Sequence, residues 1–171
     1  MQLDVKTAFL YADLDKTIYM KQPEGFVCPG KEDHVCLLLK SLYGLKQAPR
    51  LWFNTLNNAM DKFGLKNSSA DKCIYVRRTA ELTIIAIVHV DDIIIGASEK
   101  KVLLELGAHF GDLFQVRIVP PTRFIGINIT RDVQHGRMFL SQEHVIAKLS
   151  ERFGMTNKHA RTVPADPTKD F

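Results

Sequence analysis

The stretch "IIAIVHVDDIIIGAS", Ile84 to Ser98, limits the fold more than any other part of the chain. Two adjacent aspartates, Asp91 and Asp92, interrupt an otherwise apolar run rich in β-branched residues. Each flank is strand length and strand composition, and the acidic break between them reads as the tip of a hairpin. Inside a regular strand, neighbouring side chains point to opposite faces; at a hairpin tip they can converge. Both flanks are apolar on both faces, so the tip is expected at the end of a well-buried sheet.

Two carboxylates held together repel, and one takes up a proton unless a cation is close. A hard divalent ion with oxygen ligands removes the conflict. Mg²⁺ suits it, because it accepts one or two carboxylates and keeps positions for water and phosphate. A third carboxylate would be needed to hold two ions roughly 3.5–4 Å apart for in-line phosphoryl transfer. Asp4, after a short strand-like segment, is the candidate. Each of these residues also has a plain reading, since aspartate favours turns and caps for local reasons. Asp13 and Asp15 read as solvated loop residues.

Elsewhere the pattern alternates between strands and helices. "TIYMKQPEGFV" alternates up to a Pro-Glu-Gly turn, and His34 to Leu45 reads as a buried strand entering a glycine bend. After Pro49 the period becomes helical, with Trp52, Phe53, Leu56, Met60 and Phe63 on one stripe and Gly64 as the stop. "CIYVRR" and "LTIIAIVHV" are strands around a "TAEL" turn. Ser98 is placed to cap a second helix to about Phe110, with Val102, Leu103, Leu106 and Phe110 inward. "FQVRIV", "RFIGINITRDV" and "GRMFLS" read as strands, the last two joined by a "VQHGR" turn. Ser141 would cap a last helix with Val145, Ile146, Leu149 and Phe153 inward, ended by Gly154. Interleaved strands, hairpins and two or three helices give an α+β class with an antiparallel or mixed sheet covered by helices.

A chain of 171 residues has the size of one domain. Its apolar fraction of 46% and charged fraction of 25% are those of an ordinary globular protein. No apolar run is long enough to span a membrane, and no secretory leader is visible at the start. The net charge of +4 permits a polyanionic partner without requiring one. Cys28, Cys36 and Cys73 are odd in number and lack metal-ligand spacing, so they read as reduced, partly buried intracellular thiols.

Taken together, "LDVKTAFLYADLDKTIYMKQPEGFV", "SLYGLKQAPRLW" and "VHVDDIIIGAS" resemble the reverse transcriptase of copia-type LTR retrotransposons. "FIGINITRD", "LSQEHVIAKLSERFGM" and "TVPADP" continue the resemblance in the same order, over almost the whole chain. The resemblance implies a right-hand polymerase palm whose ferredoxin-like antiparallel sheet, packed by helices, bears the catalytic carboxylates. It implies a palm over residues 1–141, the start of a thumb over 142–156, and a flexible tail over 157–171. The fingers that would precede Asp4, and the RNase H domain that would follow, are expected to be missing.

By the same resemblance, Asp4, Asp91 and Asp92 are catalytic. Asp4 and Asp91 would be the principal ligands of two Mg²⁺ or Mn²⁺ ions, with Asp92 assisting and the carbonyl of Val5 as a further ligand. Phe9 matches the bulky gate beneath the sugar of the incoming dNTP, where a ring clashes with a 2′-OH; on its own it would be a core phenylalanine. Gly44 would let backbone approach the nucleotide, and Gln47 would sit beside it. Lys46 and Arg50 would contact phosphates, or simply be solvated charges. His89 stands where the family has a tyrosine by the primer terminus. "GDLFQVRIVPPTRFIGINI" departs from the family pattern, with Phe114 where a glycine is usual, in the region of the primer grip.

The implied reaction is transfer of a dNTP to a primer 3′-OH, directed by an RNA or DNA template. The other partners are the rest of the retroelement polyprotein, and the setting is a cytoplasmic particle or the nucleus. A non-catalytic remnant with weak nucleic-acid binding is the alternative. A palm-type nucleotidyl cyclase ranks last, because its Gly-Gly-Asp turn is not present.

Overall fold

The computed structural model describes residues 1–156. The chain divides into two compact units, Met1–Pro121 and Thr122–Phe171. The class is α+β, as expected, with antiparallel strand pairing and three α-helices among the described residues.

The first unit begins with strand β1 (Gln2–Val5) and a 3₁₀ turn, Ala8–Tyr11, followed by β2 (Tyr19–Lys21) and β3 (Val35–Leu37), which pair only with each other. Helix α1 (Ala48–Lys62) comes next, then β4 (Lys66–Asn67), β5 (Ile74–Arg78), β6 (Thr83–His89) and β7 (Asp92–Ala97). Helix α2 (Lys100–Leu113) and β8 (Val116–Val119) complete it. Six strands form one antiparallel sheet in the order β4-β5-β6-β7-β1-β8. Its central connectivity, β1-α1-β6-β7-α2-β8, is a split β-α-β pattern that places β1 between β7 and β8.

One face of this sheet makes the core. Leu3 and Val5, Ile84, Ala86 and Val88, Ile93 and Ile95 alternate inward at strand period. They meet Trp52, Leu56 and Met60 of α1 and Leu106 and Phe110 of α2. The other face is apolar yet open: Ile85 and Ile87 are 45% and 39% exposed. The expectation of a sheet buried on both sides is therefore corrected. Composition shows that a face could be covered, and only the helices' positions decide that it is not.

Helix α1 has its expected extent and a clear stop. Proline lies in its first turn, where a missing N–H costs nothing. Beyond its end, Gly64 adopts φ +81°. There the N–H groups of Gly64 and Leu65 donate to the carbonyls of Asp61 (2.9 Å) and Met60 (3.0 Å), a Schellman closure with Leu65 and Met60 buried beside it. Phe53, expected on the buried stripe, is exposed.

Other expectations need correction. The supposed buried strand from His34 to Leu45 is only the exposed β3; Leu39 is 81% exposed. The cap of α2 is Glu99, not Ser98, whose hydroxyl instead accepts the Thr83 N–H (3.2 Å). Cys28 and Cys73 are exposed and Cys36 half-buried, all as free thiols.

In the second unit, β9 (Arg123–Phe124), β10 (Ile127–Asp132) and β11 (Arg137–Ser141) form an antiparallel sheet, followed by α3 (Glu143–Arg152). The single strand expected over "RFIGINITRDV" is broken at Ile125 and Gly126, both at positive φ (47° and 74°), so β9 turns back onto β10. Gln142, not Ser141, occupies the cap of α3. No residue of α3 is buried, and Ile146, Leu149 and Phe153 lie open rather than inward. The tail expected to be flexible, 157–171, falls outside the described residues.

Candidate active site

The two aspartates lie where the hairpin reading puts them. His89 ends β6, Val90 and Asp91 form a two-residue turn, and Asp92 opens β7. Positive φ at Val90 (57°) but not at Asp91 is the type II′ pattern, whose first position normally takes glycine. For a β-branched residue this conformation is an outlier that costs roughly 1–2 kcal/mol. The strain is held in place from α1. The buried Trp52 donates its indole N–H to the Val90 carbonyl at 2.7 Å.

Strand β1 brings Asp4 to the same place. Its register pairs Leu3 with Ile93 and Asp4 with Asp92. The Val5 N–H donates to the Asp91 carbonyl (2.9 Å), and the Ile95 N–H to the Met1 carbonyl (2.8 Å). The hydrogen-bonded pairs therefore fall on the odd-numbered residues of β1, which leaves Asp4 and Asp92 as a non-hydrogen-bonded pair. Such pairs bring Cα atoms to about 4.5 Å and side chains closest together. Because Leu3 and Val5 point into the core, Asp4 points to the open face, and Asp92 with it. Gln2 Nε2 donates to Asp92 Oδ1 at 3.4 Å. On the other side of β1, Arg117 stands in register with Asp4, so one carboxylate has an acid and a base as its cross-strand neighbours.

Among the described residues no group of three or more His, Cys, Asp or Glu side chains is placed to hold a metal ion by itself. Two in-register carboxylates beside a third acid are nonetheless the donor type and number with which Mg²⁺ is commonly held, the remaining positions going to water and phosphate. Any ion at this pair would draw its remaining ligands from water and substrate.

The other candidates cluster around two features. Phe9, half-buried in the 3₁₀ turn, packs its ring against Tyr43 (centroids 4.7 Å apart, planes at 59°). Tyr43 is 57% exposed, and its place beside Gly44 between two ordered elements is the only sequence signal for it. Gly44 adopts φ +95° with open space around it, so backbone conformation is sufficient reason for glycine there. Behind the turn lies an apolar cavity of about 200 Å³, walled by Phe9, Pro49, Trp52, Val88, His89 and Val90 among others.

Gln47 occupies the N-cap of α1 and, with Asp15, Lys16, Lys46 and Arg50, lines an open cleft of about 390 Å³. Arg50 Nη2 is 2.6 Å from Asp15 Oδ2, and this guanidinium holds the Asp15 carboxyl below its usual range. Asp13 likewise pairs with Lys40. Both acids are exposed loop residues, as expected, and each also carries an ion pair on the surface. His89 is exposed, in register with Asp92.

A family model described as reverse transcriptase (RNA-dependent DNA polymerase) matches residues 1–167. A retrovirus-related Pol polyprotein from transposon TNT 1-94 of Nicotiana tabacum is 40% identical over 165 residues, covering 95% of this chain and 12% of the relative. That from transposon RE1 of Arabidopsis thaliana is 36% identical, covering 98% of the chain and 11% of the relative. A putative transposon Ty5-1 protein of Saccharomyces cerevisiae is 35% identical, over 85% of the chain and 47% of the relative. The chain thus spans about a tenth of the length of the first two. Among the described residues no helix is long and apolar enough to cross a membrane.

Proposed function

Because this chain belongs to the reverse transcriptase (RNA-dependent DNA polymerase) family, as part of a copia-type retrotransposon Pol polyprotein, we propose that it carries the polymerase palm and its catalytic carboxylates. The reaction is attack of a primer 3′-OH on the α-phosphate of a dNTP, which adds one nucleotide and releases pyrophosphate, on an RNA or DNA template. What supports this most is the register that sets Asp4 against Asp92 on the open face, beside the Asp91 turn. The split β-α-β order of the sheet agrees with a ferredoxin-like palm.

Asp4, Asp91 and Asp92, with the Val5 carbonyl, would hold the Mg²⁺ or Mn²⁺ ions. When bound, such ions lower the pKa of the attacking hydroxyl and neutralise the leaving pyrophosphate. The chain's own groups do the rest. Phe9 presents a ring edge that excludes a 2′-OH. Lys46 and Arg50 attract phosphates, Arg50 by exchanging Asp15 for them, and Gln47 lies in the same cleft. His89 lies at the tip, where the primer end would rest. The remaining parts of the polyprotein are the partners that would complete the nucleic-acid channel.

The test is primer extension on an RNA template with Mg²⁺ or Mn²⁺, comparing the chain with its Asp91→Asn variant, alone and joined to the preceding polyprotein segment. Extension lost with that substitution supports the assignment. Extension indifferent to it removes the assignment. Salt-sensitive binding without any extension points to a non-catalytic remnant.

A further inference from the structure

We infer that Trp52 is a positioning residue for the acidic turn: its indole N–H fixes the Val90 carbonyl and thereby holds Asp91 and Asp92 in metal-binding register with Asp4. This rests on the metal-site reading given above, and three observations carry it.

First, the turn cannot hold its own shape cheaply. Two-residue type II′ turns favour glycine at the position that Val90 fills, and a β-branched residue at φ +57° relaxes unless something opposes it. Second, the opposing contact is specific. Trp52 is 2% exposed, its only polar atom is Nε1, and that atom donates at 2.7 Å to the carbonyl of the strained residue. A buried indole N–H without this acceptor would be left unsatisfied, so helix and turn stabilise one another. Third, the helix supplying the tryptophan is itself anchored. Leu51, Leu56 and Met60 are buried on the same side of α1, and Phe114 meets the Trp52 ring edge-on (5.3 Å). The turn is thus tied to the rigid core through one side chain. If it relaxed, the Asp91 carbonyl would lose its bond from the Val5 N–H, and the register with Asp4 would go with it.

Packing alone would give Trp52 a purely structural role. The two roles separate when ion affinity, rather than stability, is measured. Trp52→Phe keeps an aromatic ring and removes the donor. Met60→Ala damages the same helix about two turns further on, without touching the acidic turn. Val90→Gly keeps the acceptor carbonyl and removes the cost of positive φ.

The experiment is a Mn²⁺ titration of the full chain, followed by electron paramagnetic resonance of the free ion. Urea unfolding is run in parallel, so that every variant is titrated while folded. Asp91→Asn serves as the control for the site itself. The expected result is that Trp52→Phe weakens Mn²⁺ binding at least five-fold, while Met60→Ala, destabilised as much or more, stays within two-fold of the original chain. In the Val90→Gly background, Trp52→Phe should cost less than two-fold, a non-additivity of neighbours acting through one turn.

If Trp52→Phe binds Mn²⁺ as the original chain does, or Met60→Ala loses as much, the positioning role is overturned and the metal site stands. If Asp91→Asn binds Mn²⁺ as well as the original chain, the metal site itself falls, and the positioning role with it.

Discussion

Asp4 and Asp92 oppose each other across β1 and β7 in the kind of strand pair where side chains approach most closely, with no backbone bond between them. Like charges placed directly opposite destabilise a sheet, so the site is held against its own electrostatics. Asp92→Asn should therefore raise the stability of the metal-free protein by about 0.2–1 kcal/mol, the range for a cross-strand charge pair. The same variant should lose most of the stabilisation that added Mn²⁺ gives the original chain. Urea titrations with and without Mn²⁺ read both effects; a loss of metal-free stability would contradict the first.

If Phe9 gates the sugar as proposed, its ring contact with Tyr43 gives that gate a second member. An aromatic pair of this kind contributes about 0.5–1.5 kcal/mol beyond area burial. Tyr43→Ala should free the Phe9 ring and reduce discrimination between dNTP and rNTP about two- to ten-fold. Phe9→Ala should reduce it further. Competitive incorporation or binding of the two nucleotides measures this, and an unchanged ratio in Tyr43→Ala would exclude a role for the pair.

Arg50 is already occupied by Asp15. Because Asp15 is held below the ordinary carboxylate range, the pair is intact at neutral pH and is lost only as pH falls through that lowered value. Asp15→Asn should release Arg50 at all pH values. Oligonucleotide binding should then tighten, and the slope of log affinity against log salt should steepen by about one phosphate contact. Original and variant should converge at acid pH, where Asp15 is protonated. Equal binding at neutral pH would show that Arg50 does not reach phosphate.

Gly64 closes α1 in a left-handed conformation. Gly64→Ala should cost about 1–2 kcal/mol through backbone strain, since the nearest atoms to an added Cβ belong to Arg77 at ordinary contact distance. Thermal unfolding checks this. A neutral result would mean that the closure rearranges without penalty.

Much of this architecture is legible in the letters where a repeat of defined period coincides with burial. The α1 stripe, the β6–β7 hairpin and its acidic tip are examples, because one local pattern decides each. What fails is whatever depends on a covering element. Ile146, Leu149 and Phe153 have helical spacing yet are exposed, and Ile85 and Ile87 have strand spacing on an open face. Periodicity reports that a stripe exists, not that something lies on it. The engaged state of Arg50 and Asp15, 35 residues apart, and the ring pair of Phe9 and Tyr43 depend on loop paths that no period encodes. The Trp52–Val90 bond is of the same kind, since the tryptophan announces itself only as another apolar helix position.

The brevity of the β6–β7 connection has a genetic consequence. With only two residues to join the strands, there is no slack in which an in-frame codon gain or loss can hide. A shift of one place in β7 would turn Ile93 and Ile95 toward solvent and drive an acid into the interior. Point substitutions at open-face positions such as Ile85 and Ile87, away from Asp4 and Asp92, cost a copied element little, whereas a single-codon indel at this loop displaces the inward strand residues and the acidic tip in one event.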